Sequence, residues 1–465
     1  MKKRVVSVLL AAALGMGLLA GCAGTSSDTA GSGAAVSEKT DGAGSGQAGK
    51  ESALDASDTE KYPVKHMVVL ECRSPEAPSA KALQSVADAY TREVNPNFSL
   101  EQQYVPDMIT YKQKIKTLIA SNEVPDMFSM DADPYARKLL EQGILMDITD
   151  ICEEHNLKDL YYDAPFKWGA FSDGVQVGLP VESDLEFFWY NKQLFEQAGV
   201  TPPKTMDEFM DVCETLKKHD ITPIAMSGKE PWTMLRYLVF MTYRLEGNDY
   251  VNGLVRGDRK MSEPTGMAAA QFVQDLGTKG YFQTGFASFD LSSAQDYFLG
   301  GNAAMFYIGT WELNSFQDEN LNENMKGNVD YFTLPVIEGG ATGENQYIAH
   351  GGTPFAFGKP NFDETTEDFL VYFANNYGKY VSEYVFAPEK GYDVPGDTEL
   401  TKKVAKDLEI EEGAVRLIDV DTDPTTNEVL NKEIVSLALG EITVEEFCRR
   451  IDKAIAKNAP SYFTW

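Results

Sequence analysis

Cysteine and histidine are scarce in this chain of 465 residues, which has five of the first and four of the second. Cys72, Cys152, Cys213 and Cys448 follow no zinc-ligand spacing, and no C-x-x-C pair occurs. His66, His155, His219 and His350 are scattered and form no H-E-x-x-H. A G-x-S-x-G nucleophile elbow is also missing. No metal, no cofactor and no catalytic residue is therefore expected, and the four cysteines read as buried thiols. No apolar run reaches the roughly 20 residues that a membrane helix needs. Basic side chains are outnumbered, with 41 Lys and Arg against 71 Asp and Glu, for a formal charge of −30. Such a surface repels phosphate backbones, so nucleic acid is not an expected partner. It also opposes electrostatic docking on anionic lipid, and what it does provide is solubility.

Two stretches imitate binding loops without completing them. Residues 44–50 fit G-x-x-x-x-G-K, but Glu51 replaces the Ser or Thr and no strand precedes the run. Asp419-x-Asp421-x-Asp423 begins like a calcium loop, but Pro424 stands at the turn glycine and Leu430 at the closing glutamate. It reads as an acidic surface turn.

The first residues read as an address. Lys2-Lys3-Arg4 precede an apolar run over 5–19, which ends in Leu19-Ala20-Gly21-Cys22. That ending resembles the bacterial lipobox, where small residues flank the cleavage point and the thiol carries diacylglycerol. It implies a signal peptide over 1–21, lipid on Cys22 and anchorage at the extracytoplasmic face of the cell membrane. Residues 22–60 are rich in Gly, Ser and Ala and nearly free of large apolar side chains. They cannot bury enough surface to fold and read as a flexible tether with a reach of about 35 Å.

The full length of 465 residues allows two or three domains, and the folded part begins after residue 60. Expected strands over 64–70, 99–105 and 126–130 alternate with helices, which argues for a largely parallel sheet in an α/β fold. Further strands are expected over 175–180, 187–191 and 222–226. Thr205-x-x-Glu208 forms a capping box before a helix that aligns Phe209, Val212, Cys213 and Leu216. A helix over 292–299 should end at Gly300-Gly301, and the apolar run 303–308 reads as a buried strand. Gly309-Thr310 then turns the chain and leaves Trp311 at the strand's C-terminal end, the edge where open α/β sheets bind ligands. Helices are expected over 365–377, 401–412, 427–439 and 444–457.

The run Phe298-x-x-Gly301-x-Ala303-Ala304-Met305-x-x-x-Gly309-x-Trp311 resembles a signature of family 1 extracellular solute-binding proteins. Val124-Pro125-Asp126-Met127, Gly178-Leu179-Pro180, Trp189-Tyr190-Asn191-Lys192 and Pro202-Pro203-Lys204-Thr205 resemble further family stretches in the same order. The resemblance implies a two-lobe type II periplasmic-binding-protein fold, with crossings near 181–184, 348–350 and 392–395. Lobe 1 would comprise 61–181 and 350–395, and lobe 2 would comprise 182–349 and 396–465. It further implies a monomer that hands a sugar or oligosaccharide to the permease subunits of an ABC importer.

Sugars are held by aromatic faces on their apolar ring faces and by charged side chains on their hydroxyls. Trp311 and Trp232 are the stacking candidates, against core packing as the competing reading. Glu230 precedes Trp232, and its position resembles a family loop that supplies an acid and an aromatic. Asp131 and Asp133 follow a first-lobe strand, where capping of a helix at Pro134 is the alternative. Arg73, Glu182, His350 and Tyr392 complete the candidates, on the loop after the first strand and at the three crossings. Glu182, Asp184 and Glu186 alternate along a strand and share one face. A glycosidase needs two carboxylates across a bond, whereas these would stand side by side. A binding protein is expected; a secreted glycoside-active enzyme, or a carrier of peptide or another polar solute, is the alternative.

Overall fold

The computed structural model describes residues 61–318, 325, 327–392, 396, 398–410 and 415–463. The expected leader, Cys22 and the tether lie outside the described residues, as do 393–395 at the third expected crossing.

Ten strands are present among the described residues: β1 Lys65–Glu71, β2 Phe98–Tyr104, β3 Met127–Ser129, β4 Gly178–Leu179, β5 Asp184–Asn191, β6 Thr222–Ala225, β7 Ala303–Gly309, β8 Val329–Phe332, β9 Ala349–His350 and β10 Phe355–Phe357. They form two sheets, ordered β2-β1-β3-β10-β4 and β6-β7-β5-β8, with β9 paired to β5. In the first sheet β1 runs parallel to β2 and β3, because the helices Pro78–Glu93 and Met108–Ala120 return the chain between them. The largely parallel expectation holds only for that half. β10 enters from the other lobe and lies antiparallel to β3 and β4, so the sheet is mixed.

The second sheet is built around β5, which is buried along its whole length. β7 and β8 lie antiparallel to it on either side, and β6 lies parallel to β7. β5 begins three residues earlier than the apolar pattern indicates. Asp184 pairs with His350 and Leu185 with Ala349, and the Leu185 amide donates to Thr310 Oγ1 at 3.1 Å. Tertiary pairing thus extends a strand into a segment that its acids alone would not place there. β7 is the expected apolar run plus Gly309. The helix before it, Leu291–Leu299, is followed by Gly301 at φ +74°, a left-handed turn suited to glycine.

One core gathers side chains from 185–349 and again from 386–459, while two adjoining cores draw on 67–181 and 355–387. These are the two lobes. Ser183 N donates to Phe386 O at 2.9 Å, which ties a crossing strand to the segment that returns toward lobe 2. Tyr392 still packs on Gly378 of lobe 1, whereas Thr398 already bonds Gln317 of lobe 2.

The acidic turn at 419–423 departs from expectation. It is a short helix, Ile418–Asp421, and not a surface loop. Asp421 is buried against Arg416, and Asp423 caps the helix Pro424–Ala438 by accepting from Thr425 N and Thr426 N. Cationic and amide partners allow these acids to be buried.

Cys72, Cys152, Cys213 and Cys448 are all buried and free. Burial pushes the Cys152 and Cys448 thiols up to about 12 and Cys213 well above its ordinary value.

Glu389, 4% exposed, sits beside Tyr161 in lobe 1, and burial pushes its carboxyl up to about 8. An unfolded glutamate ionises near pH 4.3. Between these values only the unfolded chain gains from ionisation, so the group's contribution to stability falls as pH rises and levels off above about 8. Glu389→Gln removes that slope. Relative to the parent, the variant should gain about 1 kcal/mol per pH unit across this window, by the linkage constant. Urea midpoints near pH 5 and pH 8 test it, and an equal offset at both would refute the assignment.

Candidate functional site

The site is organised by the crossing strand that leads into β5. Glu182, Asp184 and Glu186 share a face, as the period of a strand requires, and each has a different partner. Glu182 Oε1 lies 3.5 Å from Arg73 Nη2, and both Arg73 terminal nitrogens donate to Thr353 O at 3.2 Å. Asp184 Oδ1 accepts from Thr310 Oγ1 at 3.0 Å, while the buried Oδ2 has no hydrogen-bond partner among the described residues. Glu186 is fully buried and accepts from Arg236 Nε with both oxygens, at 3.1 and 3.0 Å. Arg236 also reaches Asp419 Oδ1 through Nη1 at 2.6 Å.

These partners decide the charges. Burial works to raise the Glu186 carboxyl, but Arg236 and His350 outweigh it and hold it below the usual carboxylate range. Asp184 has no arginine bonded to it; burial, then the charge of Glu182, outweigh Thr310 and Arg73 and hold it well above that range. Burial opposes the charge on Arg73, yet neighbours that include Glu182 and Glu71 keep its pKa raised. His350 sits between the acids. Its Nδ1 accepts from Gly352 N at 3.1 Å, which leaves the proton on Nε2, 3.4 Å from Glu186 Oε1.

A row of rings crosses the boundary between the lobes. Trp168 ends the lobe 1 helix Asp163–Trp168 and packs against the lobe 2 core. Its ring centroid lies 5.4 Å from that of His350, and His350 lies 5.5 Å from Trp311. Trp311 lies 6.5 Å from Trp232, whose face carries the Arg236 guanidinium at 4.9 Å. Trp311 occupies a 3-10 turn, Thr310–Glu312, at the end of β7 and is half-buried. Its ring lies against Gly309, where an added Cβ would come within 1.9 Å of it. Trp168 Nε1 is a buried donor without a partner among the described residues.

Of the nine candidate side chains, the structure brings Arg73 and Glu182 together, and sets His350, Trp311 and Trp232 in the ring row. Asp131 is half-buried in lobe 1; burial raises its carboxyl, against Lys112, and Asp419 of lobe 2 is among the charges it senses. The remaining three have structural duties. Glu230 Oε2 accepts from Ser227 Oγ at 2.7 Å and from Leu291 N at 2.6 Å, which ties its loop to the helix Leu291–Leu299. Asp133 caps the helix Pro134–Glu141, accepting from Ala136 N at 2.7 Å, and burial pushes it up to about 6. Tyr392, 37% exposed, packs on Gly378 and makes no ring contact with the tryptophans.

Trp168, Arg236 and Asp419 were not among the candidates. Trp232 and Arg236 are four residues apart on one helix, a spacing that puts a cation beside a ring and was available in the sequence. Trp168 carries no motif. Among the described residues no group of three or more His, Cys, Asp or Glu is placed to hold a metal ion.

Two α/β lobes joined by crossing strands, with aromatic and charged side chains at the boundary, define a two-lobe binding protein of the type II periplasmic class. Residues 74–378 match the bacterial extracellular solute-binding protein family, and the chain belongs to that family. The multiple sugar-binding protein of Streptococcus mutans is 24% identical over 342 residues, which cover 70% of this chain and 73% of that one. An uncharacterized ABC transporter extracellular-binding protein of Pyrococcus horikoshii is 24% identical over 234 residues, 50% of this chain and 51% of its own length. The match thus spans about half of that relative. A solved chitin oligosaccharide binding protein has a TM-score of 0.75 at 24% identity, covering 85% of this chain and 99% of that chain. At that identity it shows the shared fold.

Proposed function

We propose that this chain captures a carbohydrate between its lobes and delivers it to the permease subunits of an ABC importer. It acts as a monomer held at the extracytoplasmic face of the membrane by lipid on Cys22. The ring row carries this reading. Trp311 and Trp232 in lobe 2, His350 at a crossing and Trp168 in lobe 1 offer stacking faces from both sides of the boundary. Arg73 pairs with Glu182, which lies beside Gly352, and Asp131 senses the charge of His350; all three supply charged groups suited to hydroxyls. Ligand contacts on both lobes favour the closed arrangement by hinge bending. The three acids of the crossing strand stand side by side and two of them bind arginines, which favours binding over hydrolysis. The sugar-binding role of the Streptococcus mutans relative supports the same reading.

A thermal-shift screen across sugars tests it. A ligand at 100 times its dissociation constant stabilises the native state by about 2.7 kcal/mol. A panel of mono- and oligosaccharides that leaves the transition unmoved, while a peptide or another polar solute raises it, would sink the carbohydrate assignment.

The anchor is tested separately. Cys22→Ala should move the protein from the membrane fraction to the medium, because the thiol is the acylation point in the lipobox-like run Leu19-Ala20-Gly21-Cys22. Mass spectrometry that finds an unmodified Cys22, or a mature terminus elsewhere, would refute it.

A further inference from the structure

The lobes also touch through residues that belong to none of the crossings. After the lobe 2 helix Val444–Asn458 the chain turns through Ala459–Ser461 into Tyr462 and Phe463. This turn is fastened to lobe 2. Ala459 is buried in that lobe's core, and its carbonyl accepts from Tyr462 N and Phe463 N, both at 2.9 Å. Asn458 Nδ2 donates to Thr426 Oγ1 at 3.2 Å, and Phe463 packs on the same core.

The Tyr462 ring faces lobe 1. Lys138 Nζ, from the helix Pro134–Glu141, stands 3.7 Å from its centroid. Lys138 makes no ion pair among the described residues, so the ring face is the partner for its charge. Both side chains are half-buried, and exclusion of water strengthens the attraction of a cation to a ring face. Burial raises the Tyr462 phenol, with Asp423 of lobe 2 and Asp133 of lobe 1 adding to it. Burial, then Asp133 and Tyr462, raise Tyr135. The phenol is thus within electrostatic reach of two further residues of the lobe 1 segment.

This clasp does not depend on a fully packed boundary. A cavity of about 420 Å³ is walled by Asp133, Pro134 and Arg137 on one side and by Phe463 on the other. Space of that size and polarity has room for water. The tail, and not a continuous core, therefore joins the lobes at this place.

We propose that residues 459–463 are a strap, which clasps the helix Pro134–Glu141 through the Tyr462 ring and biases the lobes toward the arrangement that keeps this contact. The inference rests on the hinge bending proposed above. An opening that parts the helix from the tail must give up the Lys138–Tyr462 contact, so that contact enters the balance between the two arrangements. The strap thereby tunes the population available to ligand without touching ligand.

The test is read first without ligand. Glu141→Cys, at the end of the lobe 1 helix, and Lys432→Cys, on the lobe 2 helix Pro424–Ala438, are exposed positions for spin labels. They are placed in the full chain with Cys22 replaced by Ala, where the other four thiols are buried. Electron double resonance then gives the distribution of the distance between labels. Tyr462→Leu and Lys138→Met should each lower the ratio of shorter to longer distances about two- to thirtyfold, the range of a cation–π contact from exposed to desolvated. The double variant should do no more than either single one, and Tyr462→Phe, which keeps the ring face, should match the parent. A ratio that neither single variant changes, or losses that add in the double variant, would overturn the strap, provided that circular dichroism is native. Galactose, raffinose, stachyose and the trisaccharides of N-acetylglucosamine and xylose are then added to the parent. A sugar that shortens the distance, beside single variants that leave the ligand-free ratio unmoved, would overturn the strap alone. A panel that leaves the parent's distance unmoved would overturn closure on carbohydrate, while the ligand-free comparison still decides the strap.

Discussion

Arg236→Ala should cost about 3–5 kcal/mol of stability at neutral pH, the range for breaking one side of a buried ion pair. Arg236 is the cation that lets Glu186 sit fully buried and ionised in the middle of the second sheet. Its loss also strips Asp419 of its 2.6 Å partner. Glu186 is held below the usual carboxylate range, chiefly by Arg236 against burial, so removal of that cation sends its pKa upward. The penalty should therefore shrink as pH falls and Glu186 takes up a proton. Urea denaturation of the variant and parent at two pH values reads both effects. Arg236→Met combined with Glu186→Leu should recover much of the loss, because apolar groups of similar volume carry no desolvation penalty. A single-variant loss below about 1 kcal/mol at neutral pH would mean that the pair behaves like a surface ion pair.

Trp311→Ala should lower ligand affinity roughly ten- to hundredfold, the usual range for truncating an aromatic anchor. The ring is half-buried and bounded by Gly309, His350 and Trp232, so its removal should destabilise the fold by less than the about 3–5 kcal/mol of a fully buried tryptophan. Gly309→Ala offers an independent check. Its methyl would fall 1.9 Å from the Trp311 ring and must displace it, so binding should weaken although the ring is still present. Titration and denaturation on the same samples separate the two roles. Near-normal affinity in a strongly destabilised Trp311→Ala would leave Trp311 a packing residue.

Elements whose identity is local were legible in the sequence. β7 extends one residue past the apolar run, the Thr205 capping box forms with Glu208, and the helix Val444–Asn458 starts where Thr443 caps it. Features set by distant partners were not. The direction of β10 depends on where the chain re-enters lobe 1, which no local pattern records. Asp419 reads as a solvated acid because its cation, Arg236, lies 183 residues away. Glu230 is a candidate by its resemblance to a family loop and Asp133 by its place after a first-lobe strand, but nearby backbone amides already engage their carboxyl oxygens. Among the four ring-row members the sequence pointed to three. Trp168 escaped because nothing beside it signals that its helix ends against the other lobe.

The buried thiols also make the folded body a convenient chassis for a reporter. Alkylating dyes react with thiolate, and burial holds Cys152 and Cys448 at about 12 and Cys213 well above its ordinary value, while Cys72 is shielded by packing. A cysteine placed on an exposed helix, such as Asn252→Cys on Asn248–Arg256, would react far faster than any of these four. With Cys22 replaced, one dye would label one position without removal of the four buried cysteines. With the dye confined to that position, its emission would report changes around residue 252 alone as solutes are added.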